Sequence, residues 1–335
     1  MKRLRRLLLV GLLGVLVIGA LGAAILHNWL DGPLGDGVGQ VRLTIERGLG
    51  PKGICALLAE EGVLRSPDHF YWYVRARDAG PSLQAGTFVL RKDMRPEELL
   101  AVLQHARAQT LRMTIPEGFR ATQIAARFEV NGFFSASDFM ALFEDEELRE
   151  RYGIASPTLE GYLYPDTYEF PVAIDAREAA DRLLKRWHQV WNDGLAVQAE
   201  TQGHSAQWVV TLASIVEKET AKASERPQIA GVFLRRLDQG WKLETDPTVI
   251  YGIENYDGNI RRRDLKNPHA WNTYQHKGLP PTPISSPGRA AMQAVLNPAD
   301  GDTMFFVSKN DGSGSHDFSV TYKQHAAKVR KYLLR

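Results

Sequence analysis

Two glutamates lie close together in the segment QWVVTLASIVEKETA, residues 207–221. Its apolar residues recur at helical spacing and leave a narrow polar stripe, so the pattern predicts a largely buried helix. At about 100° per residue, Glu217 shares a face with small side chains, whereas Glu219 points about 200° away from it. Because apolar surroundings disfavour a charged carboxylate, such a glutamate stays protonated near neutral pH and suits general acid catalysis. Glu217 is the candidate acid, and no second acid is obvious as its partner.

An exposed helix edge is the competing interpretation of these residues. Glu217, Lys218 and Glu219 are three consecutive charged residues near the predicted end of the helix. Charged side chains in such a run usually face water. Helical spacing does not separate a surface of this kind from a catalytic site, so both interpretations stay open on the residues alone.

Other catalytic chemistries find little support. Four histidines lie toward the C-terminus, but no HExxH or paired-cysteine spacing accompanies them. The segment GSGSHDF places Ser, His and Asp side by side, whereas a catalytic triad joins separated residues, and no GxSxG turn is present. The single cysteine, Cys55, excludes an intrachain disulfide and lies among apolar residues, which favours a buried core thiol. We therefore expect neither a metal nor a cofactor. The four histidines are His269, His276, His316 and His325.

Three segments before the predicted helix repeat the order of strand, turn and apolar helix. They cover residues 41–64, 86–103 and 111–128, and TIERG in the first returns as TIPEG in the third. Residues 41–90 follow the order strand, two helices, strand, which resembles a LysM module, a small unit that binds N-acetylated glycan in other proteins. An α+β spacer or docking unit fits this order equally well. We predict a LysM-like α/β module over residues 41–110.

The N-terminus has the pattern of a membrane anchor. Four basic residues within positions 1–6 precede an uncharged run from 7 to 30, which is long enough to cross a hydrocarbon core of roughly 30 Å. The basic flank, with Asp31 and Asp36 after the run, predicts a cytoplasmic N-terminus and places the remaining chain on the far side. A cleaved signal peptide is the alternative, although the run is longer than a usual signal core and ends at Trp29, which suits a membrane interface.

The remaining chain is predicted to be globular. Its 335 residues, with 44% hydrophobic and 24% charged content, are enough for two or three packed units. Residues 31–40 are Gly-rich and predict a flexible linker. Residues 111–335 predict a mixed α+β catalytic domain, mostly helical from 134 to 193, with a Tyr-rich loop at 159–170 of the kind that often carries functional residues. The expected fold class is therefore α+β, built from an N-terminal transmembrane helix, a small LysM-like module and this domain.

Net charge argues against nucleic acid as a partner. Lys and Arg number 41 against 39 Asp and Glu, which gives a formal net charge of +2. A nucleic-acid binder usually carries a pronounced basic surface. Only Arg261, Arg262 and Arg263 form a small local basic patch, so we expect no nucleic-acid binding.

Several segments, in order along the chain, resemble the YceG-like (MltG-like) family of endolytic murein transglycosylases. They span most of the chain from residue 159 to residue 325, and so many motifs in the right order make coincidence a poor explanation. Individual positions in LETDPT and YQHKG vary among members, which affects fine substrate contacts. The segments are LEGYLYPDTYEF, SIVEKETA followed by SERPQIAGVFLRRL, LETDPTVIYG, WNTYQHKGLPPTPISSPG, LNPAD and HDFSVTYKQH.

The resemblance implies a lytic transglycosylase that works with one carboxyl group. The family's catalytic acid falls on the first glutamate of IVEKE, Glu217. It would protonate the oxygen between N-acetylmuramic acid and N-acetylglucosamine, and then accept the proton of the muramyl C6 hydroxyl. The product is a 1,6-anhydro end, formed without water. For Asp246, which precedes Pro247, turn formation is an equally good explanation. The eight residues expected to bind substrate are Glu219, Asp246, Ser214, Thr248, Tyr251, Asn272, Tyr274 and Tyr162.

Topology and resemblance together predict where the protein acts. We expect a single-pass protein of the bacterial inner membrane, with a cytoplasmic N-terminus and a periplasmic catalytic domain. The expected partners are nascent peptidoglycan strands and the membrane, with peptidoglycan synthases as candidates. Two alternatives stay open: a muramidase that uses water, and a non-catalytic peptidoglycan-binding scaffold of the cell-wall synthesis machinery.

Overall fold

The computed structural model describes residues 2–35, 37–46, 48–104, 110–172 and 174–333. Helices dominate, and the strands of the described residues form two-stranded sheets, which confirms the predicted α+β class. The chain divides into two compact units. One comprises Met1–Leu111 with Phe170–Ala173, and the other comprises Arg112–Glu169 with Ile174–Arg335.

The first unit contains the order strand, helix, helix, strand that the sequence predicts for residues 41–90. Strands β1 and β2 pair antiparallel, with Leu43 opposite Phe88, and alternate side chains of β1 are buried because successive residues of a strand face opposite sides. Helices α2 to α4 each begin at a proline, which suits a first helical turn. The elements are α1 (Lys2–Asp31), β1 (Gln40–Ile45), α2 (Pro51–Glu60), α3 (Pro67–Ala76), β2 (Gly86–Arg91) and α4 (Pro96–Gln104).

The predicted membrane-spanning run from 7 to 30 lies within α1. The side chains of residues 2–13, 15 and 16 and all of Asp36 lie outside the described part of the chain. In the part that is described, no helix combines the length and the apolar character needed to span a membrane.

The second unit carries the predicted catalytic helix. The remaining elements along the chain are β3 (Thr110–Thr114), α5 (Ala121–Val130), α6 (Ala136–Met140), α7 (Glu146–Arg151), β4 (Thr167–Pro171), α8 (Ala176–Val190), α9 (Ala196–Thr201), α10 (Ala206–Glu219), α11 (Arg226–Asp238), α12 (Asp246–Tyr251), α13 (Arg289–Leu296), β5 (Phe305–Ser308), β6 (His316–Ser319) and α14 (Tyr322–Leu333). Strand β3 pairs with β4, and β5 pairs antiparallel with β6.

Helix α10 is the buried centre of this unit. The Ser205 hydroxyl caps it by accepting from the Trp208 amide at 3.2 Å, and every residue from Val209 to Val216 is buried. Helices α11, α12 and α13 pack against it. The prediction of a buried helix is confirmed, although the helix ends at Glu219 because Thr220 has an extended backbone with φ of −143°.

One sequence prediction in this region needs correction. The Tyr-rich segment 159–170 was expected to be a loop, but Thr167–Pro171 forms strand β4. The pairing with β3 supplies main-chain partners that a loop lacks. Phe170 is fully buried in this strand, so its aromatic side chain serves packing.

Candidate active site

Glu217 lies at the C-terminal end of α10, just beneath the protein surface. Its side chain is only 5% exposed. The Arg226 guanidinium donates to one carboxylate oxygen at 2.6 Å, and the Gly288 amide donates to the other at 3.1 Å. Burial raises the pKa of Glu217, and although the charge of Arg226 and the Gly288 amide lower it, the net shift is upward. The group is therefore held closer to the protonated state that an acid catalyst needs.

A proline-rich loop, residues 281–288, brings the Gly288 amide to Glu217. The Ser214 hydroxyl of α10 accepts from the Ile284 amide at 3.0 Å, and the Ser285 hydroxyl donates to the Ser214 carbonyl at 3.3 Å. Ser214 has no exposed surface. Contact between this serine and a glycan would require it to become exposed, and in this structure its hydroxyl anchors the loop.

A second loop, residues 115–120, lies beside the first. The Gly118 amide donates to the Ser286 carbonyl, and the Ser286 amide donates to the Phe119 carbonyl, each at 2.8 Å. Lys218 of α10 donates to the Gly118 carbonyl at 3.2 Å. Both loops are thereby attached to each other and to the end of α10, where Glu217 lies.

The second loop brings an acid to Glu217 that the sequence analysis missed. A single nitrogen of Arg226, Nη2, donates to Glu217 at 2.6 Å and to Glu117 at 3.3 Å. The side chain of Glu117 is 47% exposed, whereas that of Arg226 is 9% exposed. The expectation of no obvious second acid is therefore wrong. The only sequence feature near Glu117 was the TIPEG segment, which the strand, turn and helix pattern marks as a turn and not as a site.

Glu219 points away from Glu217, as helical periodicity predicts. Its carboxylate accepts a hydrogen bond from the Thr245 hydroxyl, and burial raises its pKa to about 7 despite that bond. Thr245 precedes α12 and is itself buried. The two glutamates of α10 thus contact different parts of the unit.

The Tyr-rich segment carries a fourth acid, which is buried. Glu160 is 2% exposed, and it accepts from the Ala121 amide at 3.0 Å and from the Tyr251 hydroxyl at 3.1 Å. Burial raises its pKa to about 7, although these bonds and the charge of Arg120 lower it. Arg120 lies 4.9 Å from the ring centroid of Tyr251 on one side, and Trp271 lies 5.3 Å from it. Tyr251 therefore contacts Glu160, Arg120 and Trp271.

The other residues expected to bind substrate fall into two groups. Asp246 is exposed and accepts from the partly buried Tyr274 hydroxyl at 2.8 Å, so both present polar groups near the surface. Thr248, Asn272 and Tyr162 are at most 1% exposed, and contact with a glycan would require them to move. Substrate binding stays a prediction for all eight residues.

The buried members of that set have packing roles in this structure. The Asn272 amide donates to the carbonyls of Asp264, Leu265 and Asn267 at 3.3, 3.2 and 2.6 Å. The Thr248 hydroxyl donates to the Thr245 carbonyl at 2.7 Å. These bonds fold the segments on both sides of α12 into defined conformations, since buried polar groups need partners.

Three of the C-terminal histidines each contact a different partner. His316 lies 2.8 Å from Glu225, His276 lies 3.1 Å from the Pro268 carbonyl, and the His325 ring stacks on Phe305 with centroids 5.2 Å apart. Across the described ranges, no three or more His, Cys, Asp or Glu side chains are arranged to hold a metal ion.

The second unit is thus of the kind found in enzymes that use proton transfer, with a shielded carboxyl group held by a cation and a main-chain amide. The sequence model of the YceG-like family matches residues 43–331 of this chain. The chain belongs to the YceG-like family, which confirms the resemblance seen in the sequence.

Relatives with known names and structures agree with this membership. The endolytic murein transglycosylase of Bacillus subtilis (strain 168) is 28% identical over 314 residues, covering 89% of this chain and 86% of the relative. A protein of the same name from Streptococcus pneumoniae serotype 2 is 27% identical over 299 residues, covering 80% of this chain and 54% of that longer relative. The crystal structure of a YceG-like protein from Listeria monocytogenes has a TM-score of 0.60 at 28% identity, covering 87% of this chain and 99% of that one.

Proposed function

We propose that this protein is an endolytic lytic transglycosylase of peptidoglycan. It cleaves the bond between N-acetylmuramic acid and N-acetylglucosamine within nascent glycan strands and leaves 1,6-anhydro-N-acetylmuramic acid ends, which terminates strand elongation. The observation that carries this proposal is the shielded Glu217 carboxyl, held by Arg226 and the Gly288 amide. Support also comes from the relatives in Bacillus subtilis and Streptococcus pneumoniae, which are named endolytic murein transglycosylases.

The reaction needs one proton donor that becomes a proton acceptor. The protonated Glu217 gives its proton to the glycosidic oxygen as the bond from that oxygen to muramyl C1 breaks. The muramyl C6 oxygen then bonds to C1, and its proton passes to the Glu217 carboxylate, which restores the starting state. No water is consumed. Because the C6 hydroxyl belongs to the same sugar, the attack has the high effective concentration of an intramolecular step.

Hydrolysis is a second candidate because of one observation, the proximity of Glu117 to Glu217. Glycosidases that use water carry two carboxylates, about 5–5.5 Å apart when they retain configuration and about 6.5–9.5 Å apart when they invert it. Both carboxylates here contact the same Arg226 nitrogen. Product chemistry separates the two reactions, since hydrolysis adds a water that the anhydro product lacks.

We expect the purified full-length protein to release glycans with anhydro ends from isolated sacculi. Mass spectrometry of the released fragments measures the ends directly. Reducing-end muramic acid in place of anhydro ends would establish the hydrolytic reaction instead. Binding to sacculi without release of any fragment would favour the non-catalytic scaffold.

Substrate recognition is proposed for three of the predicted binding residues that are at least partly exposed. Asp246, Tyr251 and Tyr274 offer carboxylate and phenol groups of the kind that hold sugar hydroxyl and acetamido substituents. The order β-strand, helix, helix, β-strand in the first unit supports a LysM-like role, in which this unit binds the glycan that is cleaved. Peptidoglycan synthases are candidate partners, because nascent strands are their product.

A membrane anchor is proposed for the N-terminal segment. The basic flank and the uncharged run from 7 to 30 support a single pass through the inner membrane, with the N-terminus in the cytoplasm. A reporter that is active only outside the cytoplasm, fused to the C-terminus, should be active in cells. Activity from a reporter that requires the cytoplasm would overturn this orientation.

A further inference from the structure

The acid Glu117 has a place in the site that the proposed proton transfer leaves unexplained. We propose that Glu117 is a positioning residue: by sharing the Arg226 guanidinium with Glu217, it limits how strongly that cation stabilises the ionised form of Glu217, so that Glu217 keeps its proton until substrate is bound. This inference rests on the proposed lytic transglycosylase function and deepens it.

The first support is a conflict at Glu217 that Glu117 relieves. An arginine at hydrogen-bond distance from a carboxylate favours the charged form, which works against an acid catalyst. Arg226 is 9% exposed, so solvent screens its charge only weakly, and its Nη2 lies 2.6 Å from Glu217. The second carboxylate, at 3.3 Å from the same nitrogen, takes part of this interaction.

The second support is that Gly288 leaves room for the Glu117 carboxylate beside Arg226. A Cβ atom built on Gly288 would lie 1.8 Å from the Glu117 Oε1 atom, so a side chain at position 288 would displace the carboxylate. The neighbouring Gly118 has a φ of +74° and is bonded to both Lys218 and Ser286. These bonds hold the backbone next to Glu117, whose half-exposed side chain lies beside Arg226.

The third support is the set of charged groups around Glu217, where Glu117 is the acid that raises the pKa of Glu217 in the described part of the chain. From α10, the neighbouring Lys218 contributes a favourable charge that lowers the pKa of Glu217, whereas Glu117 raises it. At the start of α13, Arg289 pairs with Asp193 at 2.8 Å. On α12, Asp246 accepts from Tyr274 and raises the pKa of Glu219, on the other side of the helix.

The Glu117→Gln variant tests this role through its pH profile. If activity requires protonated Glu217, kcat/KM falls as the pH rises through the pKa of Glu217. Removing the negative charge of Glu117 and leaving Arg226 wholly to Glu217 both lower that pKa, so the basic limb should move to lower pH by about one unit. The variant should match the wild type at pH values below both limbs and be about tenfold slower above them.

Two comparison variants make the result specific. Glu117→Asp keeps the charge and should return the limb at least partway toward the wild-type position, whereas the exposed Glu150→Gln, on α7, should not shift it. A Glu117→Gln limb that coincides with the wild-type limb would overturn the positioning role. Loss of activity at every pH, in a variant with an unchanged melting temperature, would overturn it in favour of direct participation by Glu117.

The proposed function and this inference fail in different ways. A wild type that makes reducing ends, or that releases nothing, contradicts the transglycosylase proposal itself. Anhydro products from the wild type together with an unmoved limb in Glu117→Gln contradict only the positioning role.

Discussion

Glu217→Gln should lower the rate of glycan release from sacculi by at least about a hundredfold, because general acid and base catalysis by one side chain typically contributes about 10²–10⁴ in rate. The amide of glutamine has nearly the shape of the carboxyl and can keep an oxygen toward the Gly288 amide, which now lies 3.1 Å from the carboxylate. The NH2 group of the glutamine then faces the Arg226 nitrogen, which is also a donor, so we expect a modest fall in melting temperature beside the loss of chemistry. The measurement is the initial rate of soluble fragment release, with the melting temperature recorded for each protein.

Glu200→Gln is the matched control for this experiment. Glu200 is exposed on α9, so the same chemical change there should leave the rate and the products unaffected. A Glu217→Gln protein that releases fragments at the wild-type rate would exclude Glu217 as the catalyst. The buried ion pair between Glu217 and Arg226 would then have a structural role.

Gly161→Ala should destabilise the second unit by about 2–5 kcal/mol and lower the melting temperature by roughly 10 °C. Gly161 has a φ of +89°, which strains any residue with a Cβ atom. The added Cβ would also lie 2.5 Å from the Pro283 side chain and 3.0 Å from Val210 of α10. Since α10 and the loop from 281 to 288 are closely packed here, the backbone must shift to make room.

The same substitution should reduce glycan release at temperatures well below melting. Pro283 belongs to the loop that ends at Gly288, so a shift of this loop moves the amide that donates to Glu217. A displacement of about 1 Å at a catalytic group can cost about a hundredfold in rate. Rates measured at a temperature where the variant is fully folded separate this effect from unfolding.

Gly153→Ala separates backbone strain from the collision with Pro283. Gly153 also has a positive φ, +64°, but nothing lies within 4 Å of its built Cβ atom. Its substitution should cost only about 1–2 kcal/mol, the strain of a left-handed residue, and should leave the cleavage rate unchanged. Equal destabilisation by the two substitutions would show that the contact with Pro283 contributes nothing.

Local features of this protein could be predicted from the sequence because helical and strand periodicity encode them directly. Helix α10 has the predicted extent within two residues, and the divergence of Glu217 and Glu219 follows from about 100° of rotation per residue. The elements of residues 41–90 were likewise predictable in order, since β1 alternates in hydrophobicity and helices α2 and α3 begin at prolines.

Contacts between distant segments could not be predicted in this way. Glu117 and Arg226 are separated by 109 residues, and Glu217 and the Gly288 amide by 71. No periodicity within one element indicates which loop will cover another. For the same reason Glu160 was not singled out, although its segment was expected to be functional, because its burial depends on Ala121 and Tyr251 from elsewhere in the chain.

Residue type alone also gave an incomplete picture of the residues expected to bind substrate. Serine, threonine, asparagine and tyrosine supply the groups that bind sugars, but the same groups satisfy buried backbone atoms. Ser214, Thr248 and Asn272 are fully buried here and bond to neighbouring loops. Exposure, which depends on tertiary packing, distinguishes them from Asp246.

Cleavage of sacculi in ¹⁸O-labelled water tests the central claim most directly, because it asks whether water enters the reaction at Glu217. If Glu217 accepts the proton of the C6 hydroxyl while the C6 oxygen bonds to C1 of the same sugar, the new muramic acid ends carry no ¹⁸O and have the anhydro mass. They should appear with the wild type and be greatly reduced with Glu217→Gln. New ends that carry ¹⁸O at C1 would contradict the account, since they would identify water as the nucleophile.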